Sequence, residues 1–201
     1  MKTIKEKKRF FFIATVLFSA LLFGSVKESF SQTKHIQFKG IPVDGPLTSF
    51  VSELNKQGYT LSSIEDGKAF LTGKFAGYPD CMIGVASSKG TVWKVIVIFN
   101  DEDSWVNILS KYQEFKQSFQ LKYNTTPDSV ESLDDFYSQG GLIYHGFKEE
   151  KNVWVSLFSV PGGNVLLEIG PGASYGRLCL VISYQDEINA EIRKSATMDD
   201  I

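Results

Sequence analysis

The segment Gly172-Ala173-Ser174-Tyr175-Gly176 satisfies the GxSxG spacing of a nucleophilic serine. In an α/β-hydrolase that spacing works because a strand turns sharply into a helix and lifts the serine into the open, with an acid and a histidine later in the chain. Here the segment leads into another strand-like run, Arg177 to Tyr184, and both histidines, His35 and His145, precede Ser174. These residues read as a hairpin connection.

Metal chemistry has as little to work with. His35 lies near the chain start and His145 is a single ring in an alternating stretch, with no HExxH or CxxC pattern. Asp101-Glu102-Asp103 clusters carboxylates, but without the glycine and distal glutamate of an EF-hand, and acids beside a helix start already have a role as caps. Glu149-Glu150 and Asp134-Asp135 are adjacent pairs; in a strand such neighbours point to opposite faces and form no acid/base couple. Asn124-Thr125-Thr126 matches a glycosylation sequon, and no Walker loop or GxGxxG offers a phosphate cradle. The chain reads as non-enzymatic, with no cofactor.

The elements that would position any site begin with an address. Lys2, Lys5, Lys7, Lys8 and Arg9 precede an uncharged run from Phe10 to Val26, apolar as far as Phe23, and Ser29 and Ser31 supply small residues two apart. That order predicts a signal peptide over 1–31, cut after Ser31. A retained membrane anchor is the rival, because the uncharged run approaches the roughly 20 residues of a spanning helix. A lipoprotein would need a cysteine just after the run, and the two cysteines are Cys81 and Cys179. The expected localisation is periplasmic or extracellular, without stable membrane insertion after cleavage.

Beyond residue 31 the chain holds 15 basic against 21 acidic residues, a net of −6. No Lys/Arg cluster survives there, which excludes nucleic acid as a natural partner and argues against an electrostatic grip on anionic lipid. In an oxidising compartment Cys81 and Cys179 either pair in one disulfide or remain buried thiols.

Leu47, Phe50, Val51 and Leu54 at i, i+3, i+4 and i+7 predict an amphipathic helix opened by Pro46 and closed by Gly58. Phe70–Ala76, Cys81–Ser87 and Thr91–Phe99 read as antiparallel strands. A long helix follows from Asn100 or Asp101 to about Tyr123, with Trp105, Ile108, Leu109, Tyr112, Phe115 and Phe119 on its apolar face. Asp128–Phe136 reads as a short helix or loop. Leu142–Glu149, Val153–Val160, Val165–Gly170 and Arg177–Tyr184 read as strands, and Asp186–Arg193 as a closing helix with Ile188 and Ile192 inward. The expected fold is α+β, an antiparallel sheet of about seven strands with helices mainly on one face, in a single domain over 32–195 and a frayed tail at 196–201.

An internal echo runs through this order. Val95-Ile-Val-Ile-Phe-Asn-Asp-Glu102 leaves a strand for a helix, and Leu180-Val-Ile-Ser-Tyr-Gln-Asp-Glu187 does so 85 positions later. It suggests two repeated units, 44–123 and 124–195.

The run Ile36-Gln-Phe-Lys-Gly-Ile-Pro-Val-Asp-Gly45 with Leu47–Leu54 and Gly58-Tyr59, together with Ile182-Ser-Tyr-Gln-Asp-Glu-Ile-Asn189, resembles a group of small exported proteins of unassigned activity from anaerobic Gram-negative gut bacteria. The resemblance implies a tandem helix-plus-sheet architecture similar to the beta-lactamase-inhibitor-protein fold. A likeness of fold does not license the inhibitor's function.

One surface asks for a function. If Trp93, Val95, Val97 and Phe99 face the helices, Val92, Lys94, Ile96 and Ile98 face away, and the echo adds Arg177, Cys179, Val181 and Ser183 to the same side. Much of that side is aliphatic, so either another element or copy of the chain covers it or a partner docks there. The expected function is an exported binding protein of the cell envelope that engages a protein or other macromolecule through Val92, Lys94, Ile96, Ile98, Arg177, Cys179 and Val181. The alternative is a carrier of a small apolar ligand, with Trp93, Trp105, Trp154 and other aromatics lining a pocket; an unrecognised hydrolase is third.

Overall fold

In the computed structural model, residues 34–199 are described, with side chains as far as Lys194. The expected signal segment 1–31 lies outside the described residues. Among those residues no helix is long and apolar enough to cross a membrane.

A two-stranded hairpin comes first, β1 (Gln37–Phe38) and β2 (Ile41–Pro42). Helix α1 (Leu47–Lys56) buries Leu47, Phe50, Val51 and Leu54, the stripe its spacing predicts. Four strands follow, β3 (Thr60–Glu65), β4 (Lys68–Phe75), β5 (Tyr78–Ser88) and β6 (Thr91–Ile98). Helix α2 (Trp105–Tyr123) leads to β7 (Asp128–Ser132), α3 (Leu142–Lys148), β8 (Val153–Val160), β9 (Gly163–Pro171), β10 (Leu178–Asp186) and α4 (Glu187–Asp199). The architecture is α+β, with one antiparallel sheet of eight strands in the order β3-β4-β5-β6-β10-β9-β8-β7. Two four-stranded meanders therefore meet at β6 and β10.

The echo in the sequence lands on that junction. Val97 and Ile182, equivalent positions 85 apart, are paired directly across β6 and β10. A local two-fold axis passes between them, so the repeated motif meets itself in register. Helix α2 packs on β8, β9 and β10, and its Phe115 also meets Phe75 and Phe99 from the first meander. A division at 123/124 thus separates α2 from strands it covers.

The core lies between the helices and one sheet face. Phe99 and Phe115 stand 5.1 Å apart centre to centre, and Phe119 and Phe158 stand 5.5 Å apart, both edge to face. Tyr112 of α2 hydrogen-bonds Ser156 of β8 at 2.6 Å, and Ser156 in turn bonds Ser129 of β7. That chain of hydroxyls ties the helix to the far edge of the sheet.

Several elements differ from the sequence reading. Leu142–Lys148 is a helix, because its buried residues Ile143, Tyr144 and Phe147 fall at i, i+1 and i+4. Asn152 pins it from outside the helix: its amide donates to the carbonyls of Tyr137 and Ile143, and its oxygen accepts from the Asp134 N–H. Asp128–Ser132, expected as helix or loop, is an edge strand with every residue exposed, and β3 is a second polar edge absent from the expectation. Strand β3 is closed onto β4 by Asp66-Gly67, both at positive φ, as a two-residue type I′ hairpin requires. In α4, Asn189 and Ala190 turn inward while Ile192 is half exposed. The helix runs to Asp199, through residues expected to be a tail. Nothing in 187–199 is a glycine or proline to stop it.

Candidate binding face

The GxSxG segment sits on the connection between β9 and β10. Its ends are closed by Gly172 N–H to the Arg177 carbonyl at 2.8 Å and Arg177 N–H to the Ser174 carbonyl at 3.2 Å. Asp101 holds the tip, its carboxyl oxygens accepting from the Ala173 N–H at 3.1 Å and the Ser174 N–H at 2.7 Å. Helix α2 is capped instead by Ser104, whose hydroxyl accepts from the Asn107 N–H, so the capping role expected for Asp101 falls to a residue three positions on. The helix start moves accordingly from Asn100 or Asp101 to Trp105. At the second copy of the echo the acid does cap: Asp186 accepts from the Asn189 N–H at 2.9 Å.

His145 is on a helix, and its Nε2 lies 3.1 Å from the Tyr175 hydroxyl. Asp101 thus takes the Ser174 backbone N–H, and the His145 ring is paired with Tyr175. Among the described residues no group of three acids, histidines or cysteines converges as a metal site.

Burial alone would raise the pKa of Asp101. Ser174 and Ala173 as donors, with the nearby Arg177 charge, outweigh it and hold the carboxyl below its ordinary range. Because the folded value is depressed, the contribution is present above the ordinary carboxyl pKa and fades as pH falls through the folded value. Amide exchange at Ala173 and Ser174, followed from pH 6 down to about pH 3, is therefore expected to show slow exchange at the upper end and loss of protection toward the lower. Asp101→Asn should lose at least one of the two protected amides even at pH 6, since an amide oxygen replaces two acceptors.

The cysteines stay apart. Cys81 on β5 faces the core and Cys179 on β10 faces the opposite side, with β6 between their strands, and both are free thiols. The Cys179 thiol donates to the Pro171 carbonyl at 3.5 Å, and burial pushes its pKa up to about 11.

Helix α2 covers the side of the sheet that carries Phe99, Phe158 and Tyr184. The other side is built of two adjacent rows set by strand register. One runs Phe70, Gly84, Ile96, Ser183, Leu166, Leu157 from β4 to β8. Its neighbour runs Thr72, Met82, Ile98, Val181, Glu168, Val155 and ends at Val130 on β7. In β9 the burial alternates strictly, Val165, Leu167 and Ile169 closed and Leu166 and Glu168 partly open. Met82 is 41% exposed, Leu157 37% and Val130 55%. Followed to β7, the first row ends on Asp128; inside the rows the acid is Glu168, between Val181 and Val155. Burial among them raises its carboxyl pKa, and the Lys94 charge offsets part of that rise.

Of the residues expected on this face, Lys94, Ile96, Ile98 and Val181 are on it and half-buried. Val92 is not. Ala86 pairs with Lys94 while Ser87 pairs with Val92, so Trp93 is an extra residue in β6. That bulge turns Val92 into the core, fully buried, and leaves Trp93 partly open beneath the Arg193 guanidinium at 4.5 Å. Cys179 points to the outer side but is only 6% exposed, and Arg177 is exposed in the loop before β10. Phe70, Met82, Val155, Leu157, Leu166 and Glu168 were missed. Alternation in Val165–Ile169 carries the signal for Leu166 and Glu168; the others needed the strand order.

No family model, curated protein or solved structure matches this chain.

Proposed function

We propose that this protein is an exported, non-enzymatic binding protein of the cell envelope, and that it engages a protein partner through the sheet face opposite α2. The observation that carries the reading is the pair of adjacent rows, apolar at most positions, across β4, β5, β6, β10, β9 and β8. A solvated antiparallel face ordinarily alternates to polar residues, and contiguous apolar surface on a monomer marks contact with something else. The single carboxyl group of Glu168 in the apolar row suits a partner that presents a matching donor, because specificity at such interfaces comes from a few polar groups set in apolar surroundings. The resemblance to exported proteins and the predicted signal peptide support the envelope location.

The test is a paired charge insertion, Ile96→Glu with Val181→Glu. Envelope extract passed over the wild-type protein should yield one crosslinked partner, identified by mass spectrometry and then bound again as a purified protein. The double variant should retain none of it at an unchanged melting temperature. A fall in melting temperature of about 10 °C or more, several kcal/mol for a domain of this size, would show the face to be internal core. Equal retention by both proteins would place the contact elsewhere.

A further inference from the structure

A cleft of about 790 Å³ opens between the β1–β2 hairpin and helix α2, a volume in the range of small-molecule sites. It is chemically unlike the sheet face. Its apolar lining includes Phe75, Phe119 and Tyr184, rings that belong to the aromatic core. Lys34, Lys39 and Lys122 also line it, and none of these three forms an ion pair among the described residues. Lys56, Lys111, Lys116 and Lys194 each have a glutamate within 2.7 Å; several surface lysines lack one as well, so it is the shared cleft that sets Lys34, Lys39 and Lys122 apart.

In a chain whose residues beyond 31 carry a net of −6, three lysines without an ion pair around one aromatic cleft, Lys122 lying 4.8 Å over the Tyr123 ring, bring local positive charge. Besides two tyrosines, the lining holds two more titratable groups, and Glu114 sets one negative charge against the three lysines. Glu114 accepts from the Tyr78 hydroxyl at 3.3 Å, and His35 lies between Asp186 and Asp44. The Tyr123 hydroxyl, from a residue of the same lining, is buried and has no hydrogen-bond partner among the described residues. A buried polar atom in that state is costly until a hydrogen-bond partner reaches it.

We infer that this cleft binds a small amphipathic organic anion, its carboxylate among Lys34, Lys39 and Lys122 and its apolar body against Phe75, Phe119 and Tyr184. The inference is independent of the sheet-face reading: the two sites share no residue, and either can fail alone.

The experiment is titration calorimetry of the full chain with dodecanoate below its micellar concentration, alongside dodecylammonium and acetate. Dodecanoate should bind one per chain and the other two should not, since each lacks half of the recognised chemistry. Lys39→Glu with Lys122→Glu should weaken dodecanoate about tenfold or more by reversing two charges at the head site. Ser118→Trp, placed on the exposed side of α2 where it lines the cleft, should abolish binding while leaving the melting temperature unchanged. Ile96→Glu with Val181→Glu should leave dodecanoate affinity as it was. Equal binding of dodecylammonium, or dodecanoate affinity indifferent to both cleft variants, would overturn the inference. Phosphatidylglycerol vesicles carry a related anionic amphiphile at a membrane surface; lysine-dependent retention on vesicles without binding of free dodecanoate would overturn it as well.

Discussion

Asp186→Ala is expected to lower unfolding stability by about 3–5 kcal/mol, from the loss of acceptors to buried donors. The Asp186 side chain is fully buried at the end of β10. One carboxyl oxygen accepts from the Ile36 N–H at 3.1 Å and lies 3.1 Å from His35 Nδ1, and the other caps α4 through the Asn189 N–H at 2.9 Å. Alanine would leave two buried backbone N–H groups without an acceptor, each costing about 1–3 kcal/mol, and would remove the cap. Asp186→Asn retains one acceptor oxygen and should cost roughly half as much. Urea titrations of the three proteins, with midpoints compared at equal slope, check the ranking. A loss below about 1 kcal/mol for the alanine variant, the scale of an exposed cap, would mean that the N-terminal segment is not anchored there.

Gly162→Ala is expected to act on the same segment from the other side. Gly162 lies between β8 and β9 at φ +87°, and an added Cβ would collide with the Lys34 carbonyl oxygen and crowd the backbone of His35 and Ile36. Two costs combine, about 1–2 kcal/mol for the left-handed conformation and the displacement of a packed backbone, for a total of about 3 kcal/mol or more. Gly77 separates them. It has φ +93° and nothing within 4 Å of its absent Cβ, so Gly77→Ala should show the conformational cost alone. Equal losses in the two variants would remove the collision from the account. Because Lys34 and Lys39 line the cleft beside α2, shifting this segment should also weaken any ligand held there.

Asp44 and Asn189 complete the anchor. The Asn189 amide donates to the carbonyls of Val43 and Val92 and to the Asp44 carboxyl. Chain segments far apart in sequence, around residues 35, 44, 92 and 189, are thereby joined at one corner. Asn189 occupies an inward position of α4 that the periodicity assigns to its neighbours Ile188 and Ile192. A polar residue took the place because backbone carbonyls at this corner need a donor, and a helix pattern read from hydropathy cannot register that demand.

The face shows the same division between local and distant causes. Alternation in Thr91–Phe99 was enough to say that this strand has two apolar sides, and it placed Lys94, Ile96 and Ile98 away from the helices, with Val181 joined to them through the echo. It could not place Val92, since a one-residue bulge opposite Ala86 and Ser87 reverses the parity of everything before it. Nor could it show that Met82, Leu157 and Val155 continue the rows, because which strand lies beside which is not a property of any single strand.

Taken alone, the amino-acid sequence determined the local matters: the amphipathic helix at Leu47–Lys56, the long helix ending near Tyr123 though not its start, most inner strands, the absence of a recognisable catalytic or metal motif, and an echo 85 residues long in its spacing. Each follows from side-chain periodicity or turn chemistry within a few residues. The tertiary structure alone decided that the two polar edges are strands, that Leu142–Lys148 coils, that Cys81 and Cys179 face opposite ways, and that Lys34, Lys39 and Lys122 surround one cleft. Edge strands without alternation become strands through the hydrogen bonds of a neighbour, and a charge cluster assembled from a hairpin and a helix exists only once the chain has closed.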